Sequence, residues 1–259
     1  MPIQAGTMTQ TANPWLYYFK PNPKASVRLF CFHYAGGNAL IYRTWAQKLP
    51  PSVEVVAIQL PGRATRMHQP LVSKLTDLVE PISEALAPLV NKPFAFFGHS
   101  MGALILFEVT RFLRRQGRTL PLHLFVSGRS APQLNREHSP LYNLPKDELL
   151  AELQQLDGTP REVLEHPELM ELMLPMLRAD FSICDTYEYT EEAPLACPIT
   201  AFGGLQDFDV SRRRVEAWRE QTSATFTLRM FAGNHFFIHS NETLLLNLLA
   251  TQLGLLQNL

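Results

Sequence analysis

The stretch Phe94–Gly102, Phe-Ala-Phe-Phe-Gly-His-Ser-Met-Gly, restricts what this chain can become more than any other. Its aromatic start reads as a buried strand. Ala103-Leu104-Ile105-Leu106-Phe107-Glu108-Val109 reads as a helix that begins at once. A serine on so sharp a strand-to-helix turn takes a strained backbone conformation, so the residues two places away on either side have to be small. Gly98 and Gly102 meet that need, and the pattern holds a serine hydroxyl out where it can react. Ser100 is the candidate nucleophile. Five residues alone are a weak signal; the strand before them and the helix after them give it weight.

Strands and helices alternate around this turn. Val27–Phe32, Val53–Ile58, Leu122–Ser127, Pro198–Phe202 and Ala224–Phe231 read as further strands, the last by its alternation. Leu75, Leu78, Val79, Ile82, Leu86 and Leu89 recur at helical spacing, with Ser73 as cap and with Pro81 predicting a kink or a late start. Ser211 caps a helix over Arg212–Glu220, and an amphipathic helix closes the chain from about Asn241. This rhythm predicts an α/β fold with a mostly parallel sheet covered by helices on both faces. Gly128–Pro194 breaks it. Pro145-Lys146-Asp147-Glu148-Leu149-Leu150 opens a helical stretch, and Pro167–Met173 and Met176–Tyr187 read as two more helices. Their leucines and methionines are too many for one buried face. A compact helical insertion over about residues 133–194 is expected, and its flexible methionines suit a lid that adapts to varied ligands.

Composition narrows the class. A chain of 259 residues, 46% apolar, fits a single domain over residues 14–259. The polar start, residues 1–13, lacks a hydrophobic signal region and reads as a disordered tail in which Met8 offers an alternative start. A net charge of −1 gives no general attraction to nucleic acid or anionic lipid. No apolar run reaches the ~18 residues of a membrane span, so a cytoplasmic location is the default. Cys31, Cys184 and Cys197 lie far apart, so neither a disulfide framework nor a zinc site is indicated. No spacing of metal-binding histidines occurs, and no metal is expected.

A serine hydroxyl needs a base to take its proton and an acid to hold that base in the right tautomer. On strand–elbow–helix proteins these follow in the order Ser, Asp or Glu, His, each at the end of a strand. Asp207 and Asp209 both follow the strand at Pro198–Phe202. Asp207 lies nearer the strand end and is preferred; Asp209 stands just before a helix, whose positive end it favours. His235 follows the last strand directly and is preferred as base over His239. The oxyanion formed during attack needs two N–H donors. One is that of Met101, after the nucleophile. The other comes from the loop His33-Tyr34-Ala35-Gly36-Gly37-Asn38, with Ala35 the first choice and Tyr34 the second. His33 is expected to hold that loop by hydrogen bonds. His68, His123, His138 and His166 are expected to be structural or solvated.

At this point the chain resembles the type II thioesterases of nonribosomal peptide and polyketide assembly lines. The matching stretches are Tyr34-Ala35-Gly36-Gly37, Gln59-Leu60-Pro61-Gly62-Arg63, Gly98-His99-Ser100-Met101-Gly102-Ala103, Gly158-Thr159-Pro160 with Leu177-Arg178-Ala179-Asp180-Phe181, and Asn234-His235-Phe236-Phe237. They run from about Val27 to the C-terminal helix. The resemblance implies an α/β-hydrolase fold with a helical lid and a triad of Ser100, Asp207 and His235. It implies hydrolysis of acyl thioesters on the phosphopantetheine arm of acyl- or peptidyl-carrier protein domains, clearing misprimed or stalled acyl groups. The phosphopantetheine belongs to the partner, so no cofactor is expected. A medium-chain acyl-carrier thioesterase of fatty-acid synthesis and a small-ester hydrolase are the alternatives, and a silent binding module is disfavoured by the intact triad. The chain departs from the family pattern at His33, where proline is usual, at Phe208, where proline often follows the acid, and at Asn234, where a second glycine is common. Arg63, Arg178 and Asp180 match the pattern without an obvious chemical role and are expected to form structural ion pairs.

Overall fold

The computed structural model describes residues 13–137, 139–156 and 166–256. The expected tail, apart from Asn13, lies outside them, as do His138 and the Gly158-Thr159-Pro160 match. Seven strands form one sheet: β1 (Leu16–Tyr18), β2 (Val27–Phe32), β3 (Val53–Ile58), β4 (Phe94–His99), β5 (Leu124–Ser127), β6 (Ile199–Gly204) and β7 (Phe226–Phe231). Their order is β1-β3-β2-β4-β5-β6-β7, with β1 antiparallel to β3 and every other pairing parallel. Among the described residues the helices are α1 (Trp45–Lys48), α2 (Thr76–Leu86), α3 (Met101–Arg115), α4 (Lys146–Leu156), α5 (Pro167–Asp185), α6 (Arg212–Glu216), α7 (Phe237–Ser240) and α8 (Glu242–Leu256).

Alternate side chains of the central strands enter two different cores. Phe30, Phe32, Phe96 and Val126 pack with α2 and α3 on one face. Leu29, Cys31, Phe97 and Phe125 pack with α1 and α8 on the other. With both faces covered, β2 to β6 are buried at every position, which is why they read as continuous apolar runs. The edge strands β1 and β7 leave side chains partly exposed, and of the two only β7 is long enough to alternate visibly. Burying a Leu or Phe side chain contributes about 1.5–3 kcal/mol, so these two layers dominate the stability of the sheet.

Boundaries shift by the usual residue or two: β5 begins at Leu124 and β7 at Phe226. Ser73 does not cap α2. Leu75 takes that position without a side-chain hydrogen bond, and the late-starting helix runs on through Pro81. Ser211 stands at the N-cap of α6 but makes no side-chain capping bond, and the helix tightens beyond Glu216 into a 3₁₀ segment, Ala217–Gln221. The largest correction concerns the two helices expected around Pro175. They are one continuous helix, α5, with Pro175 inside it. Its excess of apolar residues serves two cores. Met170, Leu174 and Leu177 join Leu149 and Leu153 of α4 in a small separate cluster, whereas Ile183 reaches the main core.

Three histidines are enclosed as neutral rings. His123 stacks on Phe125 and its Nε2 pairs with Thr200 Oγ1 at 2.8 Å; burial brings its pKa down to about 4. Burial and then the Arg63 charge lower that of His33 to about 3. His99, chiefly by burial, also lies well below the usual value. The unfolded chain therefore binds more protons than the native one between those values and ~6.5. The stability these neutral rings contribute is complete above pH ~6.5 and is lost as pH falls through that window. Urea midpoints should be flat above pH ~7 and decline from pH ~6.5 toward 4, each histidine adding up to ~1.4 kcal/mol per pH unit. In His123→Gln the decline should be shallower; an unchanged slope would refute the assignment for that ring.

Candidate active site

Ser100 sits between β4 and α3 with φ of +52°, a region that costs a residue with a side chain about 1–3 kcal/mol. The geometry around it shows why glycine flanks it. A Cβ on Gly98 would stand 2.3 Å from the Gly102 carbonyl oxygen, and one on Gly102 would stand 2.1 Å from that of Phe32. The Ser100 N–H donates to the Ser127 carbonyl at 2.7 Å, so the end of β5 braces the turn. Met101 is the first residue of α3, which places its N–H at the positive end of a fifteen-residue helix.

His235 follows β7, and its Nδ1 lies 2.8 Å from Asp207 Oδ2. The carboxylate accepts, so Nδ1 carries the hydrogen and Nε2 is left as the basic nitrogen. Oδ1 of Asp207 accepts the N–H groups of Asp209 at 3.1 Å and Val210 at 3.0 Å, which fixes the carboxylate in orientation. Asp207 and His235 are buried, whereas Asp209 is exposed. Asn234 accepts the Phe236 N–H with its own side chain at 2.9 Å, an Asx turn that shapes the His235 loop.

The loop after β2 has two of its N–H groups occupied. Gly36 donates to Asp180 Oδ2 at 2.8 Å and Gly37 to the Tyr34 carbonyl at 3.0 Å. Ala35 and Tyr34, the expected donors, are not among these two, and both line the cavity described below. His33 donates from Nδ1 to the Tyr34 carbonyl at 2.9 Å, a loop-holding role. His239 shares a hydrogen bond of 3.0 Å between Nε2 and the Tyr34 hydroxyl and stacks on Phe236, so it braces the same loop from the other side. His99 pairs through Nδ1 with Ser127 Oγ at 2.9 Å.

Ser100, His235 and Ala35 open on one cavity of about 270 Å³. Leu153 and Leu156 of α4 and Met173, Leu177 and Phe181 of α5 form its apolar wall. A larger groove of about 740 Å³ lies between α2, α3 and the end of α5, away from these residues. Its Arg111 is paired with Glu108 and Glu192.

Two contacts were not foreseen from sequence: the Tyr34–His239 bond, and the reach of Asp180 to Gly36. Asp180 also forms a two-point ion pair with Arg63, at 2.5 and 2.7 Å, as expected for these two residues. Arg178 differs. Its Nη1 donates to the Tyr142 carbonyl at 2.8 Å, between the insertion's own segments.

A thioesterase domain model matches residues 27–253. Linear gramicidin dehydrogenase LgrE of Brevibacillus parabrevis is 48% identical over 242 residues, covering 92% of each chain. Gramicidin S biosynthesis protein GrsT of Aneurinibacillus migulanus is 44% identical over 249 residues, covering 96% of this chain and 97% of that one. The solved structure of the type II thioesterase BorB from the borrelidin biosynthetic cluster superimposes with a TM-score of 0.84 at 36% identity, covering 92% of this chain and 96% of that one. The word dehydrogenase belongs to the name of LgrE; the family model and the serine turn here are those of a hydrolase. The chain belongs to the thioesterase domain family, as a type II thioesterase of the α/β-hydrolase fold similar to those of nonribosomal peptide and polyketide pathways.

Proposed function

We propose that Ser100 attacks the carbonyl carbon of an acyl thioester carried on the phosphopantetheine arm of a carrier protein domain. What supports this most is one arrangement: Ser100, at φ +52°, shares a cavity with His235, whose Nδ1 is held by Asp207 at 2.8 Å. As Ser100 Oγ bonds to carbon, its proton passes to His235 Nε2. The N–H groups of Met101 and Ala35 take up the charge on oxygen. Collapse breaks the C–S bond, and the departing sulfur receives the proton from His235. Water then repeats the sequence on the acyl-serine, with His235 as base, and releases the acid and free Ser100. Asp207 keeps the imidazole in its working tautomer and steadies the imidazolium.

The pantetheine arm belongs to the partner, so the enzyme brings no cofactor of its own to this reaction. The helices α4 and α5 form a lid, and their leucines and methionine give an adaptable wall suited to varied acyl groups rather than one chain length. Clearing misprimed or stalled acyl groups is the role that fits such a wall and the gramicidin-pathway relatives. Among the described residues no helix is long and apolar enough to cross a membrane, and a cytoplasmic place beside the synthase is the reading we adopt.

Ser100→Ala should lower kcat by on the order of 10⁴-fold or more, and a fluorophosphonate should label Ser100. Labelling elsewhere in the active protein would falsify the nucleophile assignment. Asp207→Asn should lower kcat by roughly 10³–10⁴-fold through the wrong tautomer, while Asp209→Asn stays within about twofold because Asp207, not the exposed Asp209, holds His235 Nδ1; the opposite ranking hands the role to Asp209. An acyl-carrier protein should exceed the same acyl group on N-acetylcysteamine by at least about tenfold in kcat/KM, or ~1.4 kcal/mol, because remote binding is expressed at the transition state. Equal values, with faster turnover of simple oxygen esters, would identify a small-ester hydrolase. A sharp optimum at one medium chain length would identify the fatty-acid alternative.

A further inference from the structure

Arg63 and Asp180 form a buried ion pair that the reaction steps above do not use. Their side chains are 4% and 0% exposed. Asp180 lies on α5, and Arg63 lies in the loop after β3, so the pair joins the lid to the sheet. It also touches the loop that follows β2, twice. Asp180 Oδ2 accepts the Gly36 N–H at 2.8 Å, and Arg63 Nη1 donates to the Gly37 carbonyl at 3.3 Å. One helical turn before Asp180, Leu177 presses on the same place: a Cβ on Gly36 would stand 2.7 Å from Leu177 Cδ2. Residues three apart share a helix face, so one face of α5 seats Gly36 by an apolar and a polar contact together.

The segment that presents Arg63 is itself strained. Ala64 has φ of +46°, and Gly62 has φ of +76° with Leu71 packed where a side chain would be. Strain of this kind persists only where surrounding contacts over-determine it. Here it delivers a guanidinium in the two-point geometry that a carboxylate matches. A plain salt bridge between lid and sheet would not need the third partner, the Gly36 N–H.

We propose that Arg63 and Asp180 are positioning residues for the oxyanion hole, coupling its shape to the seating of the lid. By holding Gly36 and Gly37, the pair sets the angle at which the preceding peptide, with the Ala35 N–H, faces the substrate oxygen. When α5 is seated the donor is aligned; when α5 lifts, Gly36 loses its acceptor and the donor is released. This inference rests on Ala35 as an oxyanion donor and on Ser100 as nucleophile. Retained turnover in Ser100→Ala would remove that reading, whereas the experiment below leaves Ser100 in place and tests the pair alone.

The test compares wild type with Asp180→Asn and with the double variant Arg63→Met/Asp180→Leu. Replacing a buried ion pair by apolar residues of similar volume commonly preserves or raises stability. The double variant therefore separates folding from positioning. Each is scored as kcat per fluorophosphonate-titratable Ser100, so an incompletely folded preparation still reports on its folded molecules. KM, thermal midpoint, and inhibition by an acyl trifluoromethyl ketone and by the product acid are measured alongside. The ketone forms a tetrahedral adduct with an oxyanion, and the acid does not. We expect kcat to fall about 10–100-fold in both variants, since a misaimed donor costs less than a deleted one. Ketone affinity should fall by the same factor, KM and acid affinity should stay within about twofold, and the double variant should melt close to wild type. Recovery of kcat and of ketone affinity along with the midpoint in the double variant would reduce the pair to a structural tie. Equal losses of ketone and acid affinity would place the defect in the cavity wall instead.

Discussion

The site depends on how closely the start of α3 approaches the end of β2. Gly102 lies so near the Phe32 carbonyl that even a methyl group has no place there. That carbonyl is pinned from another side by the Tyr42 hydroxyl, at 2.6 Å. Helix and strand can meet this closely only if the turn between β4 and α3 is very short, and the turn is short only if Ser100 accepts its unfavourable φ. The contacts made by α3 sustain that strain: Leu104, Ile105 and Leu106 are buried in the main core. The same joint brings two segments of the site together, because the loop carrying Ala35 leaves β2 directly beyond Phe32 while Met101 opens α3. A single close contact thus relates the Ser100 turn, the start of α3 and the Ala35 loop to one another.

Parallel strands add the rest by ending on the same side. The loops after β2, β4, β6 and β7 carry Ala35, Ser100, Asp207 and His235 respectively. A serine hydrolase also has to tolerate a positive charge on its base for part of each cycle. The His99 ring lies 5.1 Å from that of His235, close enough for two imidazolium ions to repel. Burial keeps His99 neutral, and its Nδ1 is tied to Ser127. The neighbour therefore packs against His235 as a neutral ring and brings no positive charge of its own.

Sequence reading found what local patterns encode. Glycine at 98 and 102 announces the turn because the steric demand is local. The runs of β2 to β6 announce buried strands because both faces of each are covered. β1 escaped notice: three residues, Leu16–Tyr18, are too few to show a period, and they become a strand only by pairing with β3. Pro175 misled in the opposite sense, since proline argues for a break while the two cores served by α5 keep the helix whole. Within the site, the preference for Asp207 over Asp209 followed from distance along the chain; the 2.8 Å contact between Asp207 and His235 joins residues 28 positions apart and could not be read from that distance. The Asp180–Gly36 bond spans 144 positions. No spacing rule reaches that far, and only the appearance of Arg63 and Asp180 in the family pattern hinted at it.

The molecule divides its labour between a rigid sheet and a lighter insertion. Ser100, Asp207 and His235 rest on elements buried in the two large cores. The wall of the cavity rests on α4 and α5, whose shared cluster centres on Leu149, Leu153, Met170, Leu174 and Leu177. A cluster that small has less buried apolar area to resist displacement, and the segments of a protein that move are drawn from such regions. Side chains of the wall can thus vary, or shift to admit a bulkier acyl group, with no change to the strained turn. The cost is that a wall free to move loses registry with the reacting carbon. Leu177 and Asp180 answer this by meeting Gly36 from one face of one helix, so a rigid displacement of α5 withdraws both contacts together. The apolar contact alone would tolerate sliding. The carboxylate, fixed by two guanidinium nitrogens and one backbone N–H, gives the seated position a direction as well as a depth.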